Sequence, residues 1–354
     1  MAYELNKKIR DLTPYEPING SYKIRLDANE SFITPSEEMR SKIEKAVMEV
    51  SFNRYPDPNA TELCLAFADY YSVKSELVTA GNGSDELISV IMTSFLQKGD
   101  KIATLVPDFS MYAFYAELAE GEILKFQKNP DFSIDIDKVI SDVKANDIKL
   151  IIFSNPCNPT SMVIKKEEVR KLIESVDALV VLDEAYMDFS TESLMSEVEK
   201  YDNLIILRTC SKAIGMAAIR LGFAIANETL TRVLKAVKSP YNVNSVTQAI
   251  GKAILSDKDY LKASVARINN SRDELYNEMK LIEKENPDKI KIIAAEANFV
   301  YLYTKDATEI FEYLMENSVV VRCFGEYLRI TAGRNYENAE VIRLIKKYFK
   351  EQKR

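Results

Sequence analysis

The chain has 354 residues, 47% apolar and 29% charged, with 47 Lys and Arg against 54 Asp and Glu for a net charge of −7. That length calls for two domains, or one large and one small, and the acidic balance speaks against a nucleic-acid partner, because phosphate backbones want a basic surface. Histidine is absent, which removes Ser-His-Asp triads, Cys-His pairs and imidazole metal sites together; any proton shuttle near neutral pH must be a shifted Lys, Tyr or carboxylate, or belong to a cofactor.

Residues 1–17 are charged and lack an apolar core, so no signal peptide is expected. No apolar run approaches the ~18 residues of a membrane span. Cys64, Cys157, Cys210 and Cys323 stand far apart without a C-x-x-C pair. They read as reduced thiols of a cytoplasmic protein rather than as disulfides or a metal site.

From residue 77 to 226 short apolar runs alternate with helix-like segments. Strands are expected over 77–80, 102–106, 150–153, 179–182, 204–207 and 222–226. The stretch 84–97 reads as an amphipathic helix with Leu87, Ile88, Ile91 and Phe95 on one face. Apolar strands alternating with helices describe an α/β sheet, mostly parallel and covered on both faces. Around Pro240 the texture changes. One or two long helices are expected over 245–286, then a strand over 291–303, a helix over 307–317, strands over 319–323 and 327–331, and a last helix over 337–350. That order suits a smaller α+β domain.

Four segments with chemical potential lie at the ends of these expected strands, where open α/β sheets bind their ligands. Gly81-Asn82-Gly83-Ser84-Asp85-Glu86 is a strand-to-helix turn whose glycines allow close approach and whose helix N-terminus offers N–H groups to a phosphate. An ordinary turn with Ser84 as cap would look the same. Ser154-Asn155-Pro156-Cys157-Asn158-Pro159-Thr160 forces an irregular loop, either a plain connection or a mount for an Asn side chain aimed at a ligand. Asp183-Glu184-Ala185-Tyr186 puts a carboxylate just past a buried strand, where it needs a cation: a neighbouring Arg or Lys, or a pyridinium nitrogen. Thr209-Cys210-Ser211-Lys212, with Arg220 beyond, suits an amine beside a phosphate cup, although a lone Ser-Lys pair is usually a surface loop. Together the four supply what pyridoxal 5'-phosphate (PLP) needs: a lysine for its aldehyde, an acid for its ring nitrogen, partners for its phenolic oxygen and donors for its phosphate.

The set resembles the fold-type I PLP-dependent aminotransferases over essentially the whole chain, and among them is most similar to the histidinol-phosphate aminotransferases. Further segments that carry this likeness are Pro14-Tyr15-Glu16-Pro17, Leu26-Asp27-Ala28-Asn29-Glu30, Arg54-Tyr55-Pro56-Asp57-Pro58, Pro240-Tyr241-Asn242-Val243-Asn244 and Leu328-Arg329-Ile330-Thr331-Ala332-Gly333. The resemblance implies an aspartate aminotransferase-like fold: a large PLP-binding α/β domain over 31–244, with a mostly parallel sheet, and a small α+β domain from 1–30 and 245–354. It makes Lys212 the Schiff-base lysine and base, Asp183 the partner of the ring nitrogen, and Asn158 and Tyr186 the pair on the phenolic oxygen. Gly83, Ser84, Asp85, Thr209, Ser211 and Arg220 become the phosphate cup, and Phe109 the ring stacked on the cofactor. Tyr55 would reach the cofactor phosphate of a second subunit, implying a homodimer with shared sites. Tyr15, Asn29, Arg322 and Arg329 would bind substrate, the two arginines as an anion fork. No metal is expected.

Three positions depart from the family pattern: Ser161 and Ala218 stand where glycine is usual, and the segment from Arg322 to Arg329 is shorter than in many relatives. The reaction implied is transfer of the amino group of histidinol phosphate to 2-oxoglutarate. An aromatic or broad-specificity aminotransferase, or a threonine-phosphate decarboxylase of the same fold, stays open at this point. From another class, a nicotinamide-dependent oxidoreductase would use the Gly81-Asn82-Gly83 turn, but Glu86 stands at the third glycine of the dinucleotide motif, and Lys212 and Asp183 go unexplained. A non-enzymatic interaction protein would leave all four segments without a role.

Overall fold

A computed structural model describes the chain at residues 3–10, 12 and 16–352. A short strand β1 (Ile24–Arg25) comes first, followed by β2 (Val78–Gly81), β3 (Lys101–Val106), β4 (Glu122–Gln127), β5 (Ile148–Ser154), β6 (Leu179–Asp183), β7 (Leu204–Thr209) and β8 (Gly222–Ala226). The last seven form one sheet in the order β2-β8-β7-β6-β5-β3-β4. Only β8 runs against its neighbours; β3 to β7 pair in parallel. Side chains alternate across this sheet. Ile151, Phe153, Val180, Leu182, Ile206 and Ile225 face one core, while Leu150, Ile152, Val181, Ile205, Leu207 and Ala224 face another. Two covered faces explain why the central strands read as unbroken apolar runs.

The remaining strands are β9 (Ile290–Ala294), β10 (Phe299–Thr304), β11 (Val319–Val320), β12 (Arg322–Phe324) and β13 (Tyr327–Thr331). Four of them make an antiparallel sheet ordered β12-β13-β10-β9, and β11 pairs with β1 in parallel. One face of the antiparallel sheet, with Val300, Leu302, Leu328 and Ile330, packs on the helices Lys258–Glu285, Ala307–Glu316 and Asn335–Glu351. The helix Ser245–Leu255 instead sends Ile254 and Leu255 into the core of the large sheet, as Lys258–Glu285 does with Leu261 before its later residues join the small sheet.

Three sequence expectations are corrected. The strand expected over 291–303 is the hairpin β9–β10, broken by a turn at 295–298; the strand expected over 319–323 is split between β11 and β12, which belong to different sheets. Strand β4 was not anticipated, because it lies at the sheet edge and has only exposed and half-buried residues.

Topology gathers the marked segments. The C-terminal ends of β2, β3, β5, β6 and β7 and the start of β8 share one edge of the sheet, with Ser154 opposite Asp183, and Thr209 and Gly81 on either side of Gly222. That edge faces the aromatic side of the small sheet. No helix among the described residues is long and apolar enough to cross a membrane.

Candidate active site

The helix Ser84–Phe95 begins where β2 ends, and Gly83 turns the chain into it with φ +84°. Gly222 passes directly beneath: a Cβ there would collide with the Ser84 amide. The first N–H groups of this helix therefore stay open toward the sheet edge, a natural anion seat. Arg220, itself at φ +49°, reaches back over it. Its Nη1 lies 3.5 Å from Ser211 Oγ and its Nη2 3.3 Å from Asp85 Oδ2. This ion pair is about half exposed on both sides, so it is weak and gives way readily to a stronger anion. Thr209 Oγ1 accepts the Ser211 N–H at 3.1 Å and completes the cup. Ala218 is exposed in the turn Ala217–Ile219 and takes no part.

Two adjacent carboxylates end β6 with different fates. Glu184 is matched by Arg208, Nη2 to Oε2 at 2.8 Å, inside a buried network with Asp188. Asp183 has no cationic partner among the described residues. Its Oδ2 accepts from Tyr112 Oη at 2.8 Å and its Oδ1 from the Ala185 N–H at 3.0 Å, and burial raises its pKa to about 7. An ionised carboxylate here wants a positive charge in front of it.

Lys212 Nζ donates to the Ala28 carbonyl at 3.1 Å and stands 5.8 Å from the Tyr186 ring centre. Tyr186 Oη accepts from Asn29 Nδ2 at 2.9 Å, which leaves the phenol proton to be donated elsewhere. Asn29 is fixed by several hydrogen bonds. It sits at φ +53°, its Oδ1 takes the Thr331 hydroxyl at 3.0 Å, and its carbonyl takes Asn298 Nδ2 at 3.1 Å. It orients Tyr186 with one N–H of its amide and keeps the second N–H for another acceptor.

The loop after β5 is stitched by Asn155, whose amide exchanges two 2.9 Å hydrogen bonds with Ile164. Asn158 is fixed through its N–H to Ser154 Oγ (3.1 Å), and its Oδ1 accepts from Arg329 Nη1. With its oxygen taken, Asn158 presents its NH2 to the site. Asp108 receives the Phe109 N–H at 2.8 Å and the Ser154 hydroxyl, and the Phe109 ring meets Tyr112 edge-on at 5.5 Å.

The short segment 322–329 is a hairpin turned by two residues, Gly325 at φ +63° and Glu326. Its register sets Arg322 directly opposite Arg329, so both guanidiniums leave the same face of the sheet. Arg329 also donates to the Asp27 carbonyl and lies 5.5 Å from the ring centres of Phe299 and Phe324. Arg322 makes no ion pair or hydrogen bond among the described residues.

These groups fit PLP: an anion cup, an uncompensated buried acid, a lysine, and two donors freed by Asn29 and Arg329. The structure brings together every expected residue except three. Tyr55 is 81% exposed and stacks on Tyr241 at 4.7 Å, and it makes no hydrogen bond to the cup among the described residues. Arg322 stands beside the site without a partner in it, and Tyr15 lies outside the described residues. Tyr112, Asp108 and Asn298 were given no role from sequence. They act by tertiary contact, and Tyr112, three residues after Phe109 at the start of a helix, was the one within reach of periodicity.

The sequence profile of the family described as "Aminotransferase class I and II" matches residues 21–347. A histidinol-phosphate aminotransferase of Clostridium novyi (strain NT) is 46% identical over 352 residues, 98% of each chain. One of Clostridium kluyveri is 41% identical, over 97% of this chain and 98% of that one. Among solved structures, the histidinol-phosphate aminotransferase of Sinorhizobium meliloti in complex with PLP superposes with a TM-score of 0.82 at 23% identity, over 92% of both chains, a likeness of fold.

Proposed function

The chain belongs to the class I and II aminotransferases, and on that premise we propose that it transfers the amino group of histidinol phosphate to 2-oxoglutarate, in the cytoplasm, using PLP. The family is PLP-dependent. PLP, when bound, joins amines through its aldehyde and draws electrons from Cα, which is the chemistry of transamination.

The chain's own residues do the rest. The helix N-terminus at Ser84 and Asp85, with Thr209, Ser211 and Arg220, holds the phosphate. The Asp183 carboxylate, steadied by Tyr112 and Ala185, keeps a proton on the ring nitrogen. Asn158 Nδ2 and Tyr186 Oη donate to the phenolic oxygen, and Phe109 covers the ring. Lys212 Nζ is the amine that would take the Cα proton and return it to the carbon two atoms along, a 1,3 transfer. The exposed Tyr55, with Met48 at 84% and Phe52 at 75% exposure, supports a second copy of the chain covering this face, each Tyr55 then serving the other's cup.

The observation that carries the substrate assignment is the cross-strand pair Arg322–Arg329. Like charges placed directly opposite are unfavourable unless an anion joins them. A phosphate dianion or a distal carboxylate meets that need, so the pair serves histidinol phosphate in one half-reaction and 2-oxoglutarate or glutamate in the other. Losing one charged hydrogen bond costs about 1.5–3 kcal/mol, so Arg322→Ala should lower kcat/KM for histidinol phosphate by about 10- to 100-fold. With phosphate-free histidinol the same substitution should change it by less than about threefold, since nothing is there to hold. Equal losses with both donors would make Arg322 a structural residue and remove the support for a phosphorylated substrate. A phosphorylated amino acid would satisfy the same pair, and release of CO2 from threonine phosphate would identify that reaction.

A further inference from the structure

Ser161 is fully buried, yet its backbone sits at φ +60°, a setting natural to glycine and strained for any residue with a Cβ. Its hydroxyl oxygen accepts the N–H of Ala297 at 2.8 Å. This bond crosses from the loop after β5, on the large sheet, to the turn between β9 and β10, on the small one. We propose that Ser161 is a positioning residue that registers the two halves of the active site against each other through Ala297.

The turn it grips is a junction. The Ala297 carbonyl is held from the opposite side by Arg272 Nη1 at 3.1 Å. The next residue, Asn298, donates to the carbonyl of Asn29, which in turn donates to Tyr186. Phe299 then meets the Tyr186 ring edge-on at 5.5 Å and lies beneath the Arg329 guanidinium. So Asn158, three residues before Ser161, and Tyr186, through Asn29, are both referenced to residues 297–299, and so is Arg329. Immediately beyond the Ser161–Ala297 contact the two halves part around a cavity of about 650 Å³, lined by Met162, Glu192, Tyr276 and Ala295 among others. The neighbours of both bonded residues, Met162 and Glu296, line this cavity, so the bond borders it.

The role rests on the reading that Asn158 and Arg329 serve the reaction, but the bond itself is tested without it. Ser161→Gly removes the hydroxyl and relieves the backbone; Ser161→Ala removes the hydroxyl and keeps the strain. In the PLP-loaded protein, hydrogen exchange at the Ala297 amide should quicken in both variants, about 5- to 10-fold for one lost neutral hydrogen bond. In steady-state assays KM for the amino donor and for 2-oxoglutarate should rise together, about 3- to 10-fold, with kcat within about twofold. The rise should be alike in both variants even though Ser161→Ala melts lower than Ser161→Gly. A residue that merely stabilised the loop would instead have its effect reversed by glycine. Unchanged protection of Ala297, or an unchanged KM for 2-oxoglutarate in Ser161→Gly, would overturn the proposal. Failure of histidinol phosphate as donor would leave both of those readouts standing.

Discussion

Lys212→Ala is expected to fold as the unmodified chain does and to lose at least roughly 10⁴-fold in kcat. A general base contributes about 10²–10⁴ by itself, and here the same amine also anchors the cofactor. The fold leans on it little, because Lys212 is half-buried and its one side-chain hydrogen bond among the described residues goes to the Ala28 carbonyl. The nearest rival is Lys128, whose side chain is 2% exposed. Its Nζ is spent on the Pro107 carbonyl at 2.7 Å and Cys157 Sγ at 2.9 Å, behind the Asn158 loop. Borohydride treatment of the PLP-loaded protein, followed by peptide mass analysis, should place the reduced adduct on Lys212 and find none in the variant. An adduct that persists in Lys212→Ala would mean that a different lysine carries the chemistry.

Asp183→Asn should bind PLP through the intact cup yet lose roughly 10²–10³-fold in kcat, the usual loss when one preorganised electrostatic partner is removed. It also makes an opposite prediction for stability without cofactor. Burial raises the Asp183 pKa from 3.8 to about 7. Below about pH 4 the folded and unfolded chains both hold this proton and the group is neutral in its effect. Between about pH 4 and 7 the unfolded chain releases it while the folded chain keeps it, so the apoprotein loses stability as pH rises. Above that window the loss is complete, about 4 kcal/mol from a shift of this size. The Asp183→Asn apoprotein should therefore be more stable than the unmodified apoprotein at pH 8, and the two should converge toward pH 4. Urea melts at both values check this. Near-normal kcat in the variant, or an apoprotein destabilised at pH 8 by the substitution, would refute the pairing of Asp183 with a cation supplied by the cofactor.

Much of this site was legible before any coordinates, for a physical reason. Residues that must sit at the ends of buried strands are announced by the apolar run that precedes them. Asp183 after 179–182 and Thr209 after 204–207 are of that kind, and the matching strand ends place them on one edge. What strand patterns do not announce is engagement through space. Asp183 and Glu184 are neighbours of the same charge, and only the fold reveals that Arg208 neutralises the second and that the first meets no cation among the described residues. Asn29 is expected to touch substrate, and only the fold reveals that its amide also bonds Tyr186 and Thr331. Strand β4 escaped because an edge strand needs no apolar run, and the hairpin β9–β10 was merged because both its strands are apolar on the covered face.

The short segment from Arg322 to Arg329 has the geometry that an anion fork would need. Three paired residues on each side of a two-residue turn put the first and last positions opposite each other. An insertion that shifted the register by one residue would send one guanidinium to the covered face. Ser161 is the converse case: a departure from glycine that reads as a blemish in sequence and in the fold makes the bond to Ala297.

Side-by-side steady-state kinetics of the unmodified enzyme with histidinol phosphate, phenylalanine and threonine phosphate, each against 2-oxoglutarate, test the account most directly. Histidinol phosphate should be preferred over phenylalanine by about 10- to 100-fold in kcat/KM, because an apolar ring cannot use the charged hydrogen bonds that the Arg322–Arg329 pair offers a phosphate. Threonine phosphate should release no CO2. Equal efficiency with histidinol phosphate and phenylalanine would contradict the assignment and identify an aromatic aminotransferase instead.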